Sequence, residues 1–108
     1  MFYSSTRGKD KNLGFTDVLL NGLAHDGGLY IPQEIPFFDK KDLSYLRSLD
    51  YANLAYQVIK PFIANEIPNK SLKEICIKTY RKSFGKEIIS FNKLNDNEYI
   101  ANLFHGLT

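Results

Sequence analysis

The chain is expected to fold as one small α+β domain, and three observations predict it. Its 108 residues suffice for one domain and not two, since domains commonly run to about 100–150 residues. Four stretches carry apolar residues at helical spacing. Four short runs of strand-forming residues accompany them, the last two separated by an Asn-Asp-Asn turn that makes a C-terminal β-hairpin. A content of 44% hydrophobic and 14% aromatic residues supplies a core, which excludes a disordered chain.

The first residues should be extended, and polar Gly8 to Asn12 should separate them from a helix over Phe15 to Leu23. Phe15, Val18, Leu19, Gly22 and Leu23 share one face of that helix, and Asp17 suits the positive end of its dipole. His25-Asp26-Gly27-Gly28 stops it, with two glycines free to take positive φ. Leu29 to Ile31 reads as a short strand closed by Pro32. Pro32 and Pro36 then bracket an extended stretch ending at Phe37-Phe38, an expected apolar anchor.

Asp39 is expected to cap a helix from Lys40 to Arg47 with Leu43 and Leu46 inward, and Asp50 the next, to Ile63. The buried face of the latter is Leu54, Ala55, Val58, Ile59, Phe62 and Ile63, and Pro61 should kink or tighten its last turn. Ser71-Leu72-Lys73-Glu74 fits a capping box opening a fourth helix to Ser83. Its inward stripe is Leu72, Ile75, Cys76, Thr79 and Tyr80, and Gly85 is the expected stop. Glu87 to Phe91 and Glu98 to Phe104 are the hairpin strands, turning at Asn95-Asp96-Asn97.

Composition excludes several classes of function. The net charge of +2 is too small to argue for a nucleic-acid or membrane partner. No apolar run reaches the roughly 20 residues of a membrane span. The opening turns polar at once, unlike a signal peptide, so the expected location is cytoplasmic. The single Cys rules out an internal disulfide and a Cys-rich metal site.

Candidate chemistry is sparse. Cys76 lies on an apolar stripe, where a free thiol behaves as a small inert hydrophobe. His25 and His105 have no neighbours at ligand spacing, so no metal is expected. Asp26-Gly27-Gly28 follows a helix and precedes a strand, the reverse of a phosphate loop, and reads as a structural turn. Ser5, Thr6 and Arg7, beside flexible Gly8, could bind a phosphate or carboxylate through charge-assisted bonds. The competing reading is an edge strand whose Arg7 pairs with a surface acid. Tyr80 to Lys86 interleaves aromatics with cations, as single-strand nucleic-acid binders do. A core tyrosine followed by cations at a helix C-terminus accounts for the same residues.

Three blocks, in order, resemble the N-terminal region of the threonine synthase family. Tyr3-Ser4-Ser5-Thr6-Arg7-Gly8 is similar to the family's Y-x-S-T-R-G opening. Gly22-Leu23-Ala24-His25-Asp26-Gly27-Gly28-Leu29-Tyr30-Ile31-Pro32 is similar to G-L-A-x-D-G-G-L-[YF]-[VI]-P. Leu103-Phe104-His105-Gly106-Leu107-Thr108 is similar to L-F-H-G-P-T. The resemblance implies the small N-terminal domain of a fold-type II pyridoxal-phosphate (PLP) enzyme, a lyase that converts O-phosphohomoserine and water to threonine and phosphate. In that family a lysine forms a Schiff base with the cofactor, in an A-F-K-D segment directly after the position matching Thr108.

None of the chain's 11 lysines stands in that context. Residues 1–108 are therefore expected to be a truncated N-terminal piece, inactive and free of bound cofactor alone. Its partner would be a catalytic PLP domain, in the same longer chain or separately encoded. By the same resemblance His105, Gly106 and Thr108 would form the lip of the cofactor pocket, and Leu107 departs from the family's proline there. The alternative is a non-catalytic binding or assembly module, or a gene relic, derived from that enzyme. Phe37, Phe38, Leu103 and Phe104 are the expected apolar surface left without a partner.

Overall fold

The computed structural model describes residues 1–80 and 89–103. Among them the order is β1 (Tyr3–Ser5), α1 (Phe15–Asn21), β2 (Tyr30–Pro32), α2 (Lys40–Leu46), α3 (Tyr51–Ile63), α4 (Asn69–Lys78), β3 (Ser90–Lys93) and β4 (Tyr99–Asn102). The α+β class, the four helices, the four short strands and the C-terminal hairpin agree with the sequence reading, which did not anticipate the antiparallel pairing of β1 with β2. No helix among the described residues is long and apolar enough to cross a membrane.

Strands β1 and β2 pair with Tyr3 opposite Pro32, Ser4 opposite Ile31 and Ser5 opposite Tyr30. The chain leaving β1 doubles back at once. Tyr3 and Leu13 exchange backbone bonds of 2.9 and 3.1 Å, and the Ser5 N–H donates to the Asp10 carbonyl at 2.8 Å. The second pair, β3 and β4, is a hairpin with Ser90 opposite Asn102 and Lys93 opposite Tyr99. Its turn is held by the Asn97 N–H donating to Asn95 Oδ1 and by an Asn95–Glu98 side-chain bond.

Local capping explains two helix starts. Asp39 accepts from the N–H groups of Lys41 and Asp42 at 2.7 and 2.8 Å, while Asp42 accepts from the Asp39 N–H at 3.0 Å. That reciprocal pair satisfies donors the first turn cannot. Asp50 accepts from the Asn53 N–H and its side-chain amide. Helix α3 runs through Pro61 to Ile63.

The start of α4 corrects the sequence reading. It opens at Asn69 with Pro68 as its N-cap, not at Ser71. Pro68 has no N–H to lose and a backbone ready for a helix start, and its carbonyl accepts the first helical bond from Leu72 at 3.0 Å. Ser71 then falls inside the first turn. Helix α1 ends at Asn21, two residues short of the expectation, because Gly22 takes φ +70°.

The best-packed core lies between α3 and α4, where Ile63, Leu72 and Cys76 are buried and Phe15, Ile59, Ile67 and Tyr80 lean on them. Burial pushes the Cys76 thiol up, consistent with an inert core cysteine. Other apolar positions read as inward are exposed: Leu19, Leu23, Leu43 and Ile75 at 51–63%, and Val58 at 37%. Phe37, the expected anchor, is 88% exposed and anchors nothing within the described chain. Helical spacing identifies an apolar face; it does not supply the element that covers it. Ser83, Gly85, Glu87, Ile88 and Phe104 lie outside the described residues.

Candidate functional site

Two segments that the sequence presents as separate signals meet on one carboxylate. The loop after β1 and the turn after α1 close around Asp26. Its Oδ2 accepts from the Ser5 hydroxyl at 2.5 Å and the Lys9 N–H at 3.1 Å, and its Oδ1 from the Gly28 N–H at 2.9 Å. Arg7 Nη1 donates to the Asp26 carbonyl at 3.0 Å. The Ser5 hydroxyl above all, then the Gly28 and Lys9 N–H groups and the Arg7 charge, hold the Asp26 carboxyl below the usual range.

The paired glycines have different tasks. Gly27 takes φ +77°, a conformation side chains resist. Gly28 has no room: a Cβ there would lie 2.9 Å from Thr6 Oγ1, 3.0 Å from Asp26 Oδ1 and 3.2 Å from the Arg7 nitrogen. The Leu29 N–H closes the clamp by donating to Thr6 Oγ1 at 3.0 Å. Thus Ser5 and Thr6 spend their hydroxyls inside the chain, and Arg7 remains exposed with one bond to Asp26.

Asp10 makes a second clasp. Its Oδ2 accepts from the His25 N–H at 2.9 Å, His25 Nδ1 at 3.1 Å and the Tyr30 hydroxyl at 3.1 Å. These bonds, led by the His25 backbone N–H, lower its carboxyl. A third carboxylate works at long range. Glu66, in the α3–α4 connection, accepts from the N–H groups of Phe15 and Thr16 at 2.7 and 2.8 Å. The N-cap of α1 is Gly14, with no side chain to do this, and its missing Cβ leaves the space Glu66 occupies. The Thr16 N–H is the chief cause of the lowered Glu66 carboxyl. Beside it the Tyr3 hydroxyl donates to the Phe62 carbonyl at 2.8 Å, tying β1 to α3.

Sequence reasoning singled out Asp26 and the Ser5–Arg7 loop but did not connect them, and it missed Asp10, Tyr30 and Glu66. The block spanning Tyr3 to Gly8 and the block spanning Gly22 to Pro32 were the available signal, for they are the two sides of the clamp. No cluster of metal-binding side chains occurs among the described residues. His105, Gly106 and Thr108, and Arg81 to Lys86 of the aromatic–cationic run, lie outside the described residues.

Residues 2–80, which contain all three carboxylate clasps, match the family model described as the threonine synthase N terminus. The chain belongs to the threonine synthase family. It is 42% identical over 108 residues to threonine synthase of Pseudomonas aeruginosa, covering all of this chain and 23% of that protein. Threonine synthase-like 2 of Mus musculus is 33% identical over 109 residues, with 100% and 23% of the two chains covered. Among solved structures, PLP-bound threonine synthase from Brucella melitensis superposes with a TM-score of 0.83 at 40% identity, over 98% of this chain and 23% of its own. Yeast threonine synthase gives 0.77 at 34%, over 97% and 22%. The chain is the N-terminal region of the family fold and spans less than a quarter of these relatives.

The described residues do not fit covalent attachment of PLP. A lysine that attacks a carbonyl must shed its proton, which an enclosed, desolvated site promotes. Among the described lysines only Lys60 is even half-buried, and it lies over the Tyr56 ring, 5.9 Å from the centroid.

Proposed function

We propose that these residues serve as the N-terminal region of a PLP-dependent threonine synthase, whose conversion of O-phosphohomoserine and water to threonine and phosphate is carried out with the catalytic part of the enzyme. The match of residues 2–80 to the family's N terminus carries this reading. Exposed apolar side chains among the described residues support a role in docking against the catalytic part: Leu19, Leu20, Leu23, Phe37 and Leu103 are 63–88% exposed.

In this reading the clamp is a supporting structure. The anion recognised by Ser5 is the chain's own Asp26 carboxylate, and the Thr6 hydroxyl is taken by the Leu29 N–H. Arg7 is the member of that trio left to meet an external anion, and phosphate is the anion the reaction would offer it. His105, Gly106 and Thr108 are proposed to form the lip of the cofactor pocket.

The test joins residues 1–108 to the remainder of Pseudomonas aeruginosa threonine synthase in place of its own N-terminal region. Phosphate release from O-phosphohomoserine is then measured with added PLP. The joined protein is expected to release phosphate and the 108-residue chain to release none. PLP-dependent turnover by the short chain overturns the reading, as does a joined protein that folds and binds PLP yet stays inert. Within the joined protein, His105→Ala is expected to weaken PLP binding, and Arg7→Ala to raise the substrate KM. Unchanged values remove those residues from the site.

A further inference from the structure

We infer that Asn21 is a site of spontaneous deamidation in the folded chain, a modification that loosens the end of α1 from β2. Of the nine asparagines, only Asn21 is followed by glycine. That neighbour matters chemically, because the reaction is attack by the next residue's amide nitrogen on the side-chain carbonyl carbon, and a β-carbon on that residue obstructs it. Gly22 has none, and the space where a Cβ would sit is empty to 4 Å.

The fold leaves the pair open. Asn21 is the last residue of α1, exposed, and Gly22 has already left the helix at φ +70° and ψ −62°. The Gly22 N–H is held by one bond, to the Val18 carbonyl at 3.0 Å. Helix α1 has seven residues and none of them is buried, so its final turn opens at small cost. Asp26-Gly27 is the contrasting case. Its carboxylate is fastened by Ser5, Lys9 and Gly28, and the Gly27 N–H is held by the Ala24 carbonyl at 2.9 Å.

In the reaction the Gly22 nitrogen bonds to Asn21 Cγ, the Cγ–Nδ2 bond breaks, and the displaced proton leaves with that nitrogen as ammonia. Water then opens the cyclic imide at either carbonyl, leaving aspartate or isoaspartate at position 21. Asn21 Nδ2 donates to the Tyr30 hydroxyl at 3.3 Å, and that hydroxyl donates to Asp10. A carboxylate in its place loses the donor, adds negative charge beside Asp10, and sits at the negative end of a helix whose last turn has no basic residue.

The 108-residue chain, held folded in mildly alkaline buffer, is sampled over days by peptide mass spectrometry and by enzymatic methyl labelling of isoaspartate. Asn21 is expected to convert several-fold faster than Asn95 or Asn97, which occupy an exposed turn without a following glycine. The isoaspartate label should disappear in Asn21→Gln. Conversion at Asn21 no faster than at Asn95 and Asn97 overturns the assignment. Asn21→Asp is expected to lower the thermal midpoint, and an unchanged midpoint overturns the loosening of α1.

Discussion

The N-terminal 80 residues and the C-terminal hairpin are built from similar local signals and end in opposite states. In the former, β1, the clamp and α3–α4 are joined by bonds that cross long stretches of chain: Tyr3 to Phe62, Ser5 to Asp26 and Glu66 to Phe15. The latter has a complete ladder of its own and almost no packing. Phe91, Leu94, Tyr99, Ile100 and Leu103 are 48–77% exposed, on strands that place residues to both faces. A lone two-stranded hairpin is marginal in water. The difference teaches that strand pairing can be written locally while burial cannot: the described residues leave the hairpin's apolar side chains uncovered. The family-model match, over residues 2–80, falls in the first of these regions.

The sharpest way to break that comparison is to remove one apolar side chain from each region. Leu72→Ala, in the α3–α4 core, should cost about 2–5 kcal/mol and move the urea midpoint accordingly. Ile100→Ala on the hairpin should stay within about 0.5 kcal/mol, as exposed positions do. Equal losses would show that the hairpin is packed after all.

Gly28→Ala tests whether the clamp is as tight as its distances say. The new methyl meets Thr6, Asp26 and the Arg7 backbone, so a loss of about 1–3 kcal/mol is expected from overpacking. A neutral result in thermal melts would mean the loop after β1 yields freely.

A smaller loss than at Gly28 is expected at Glu66. Glu66→Ala should cost about 1 kcal/mol, the ordinary worth of a helix cap. Acid should reproduce part of it. Asp10, Asp26 and Glu66 all have folded-state carboxyls below their usual values. Their contribution is complete above about pH 5 and is lost as pH falls through those lowered values. Thermal midpoints against pH should therefore drop on the acid side, less steeply in Glu66→Ala; parallel curves would remove Glu66 from the effect.

The legible features were those whose partners lie within one turn of chain. Asp39 and Asp50 announced their helices because each reaches N–H groups two or three residues on. Asn95-Asp96-Asn97 announced a turn for the same reason. Ser71 misled because Pro68 offered a start one turn earlier. The candidate site was half legible: Asp26-Gly27-Gly28 read correctly as a turn, while the sequence left Ser5 to Arg7 open between an anion site and an edge strand with Arg7 beside an acid, and did not name Asp26 as their partner.

The order of helices and strands, the α+β class and the family blocks followed from the sequence alone, because periodicity, caps and turn residues act over a few positions. Tertiary structure decided which carboxylate met which amide. Glu66 caps a helix whose own N-cap is glycine, across 51 positions to Phe15, and Asp26 occupies the place prepared by Ser5 and Lys9. It also decided which apolar faces were covered. Leu72 and Leu19 are alike in the sequence, and only the approach of a second helix makes one of them core.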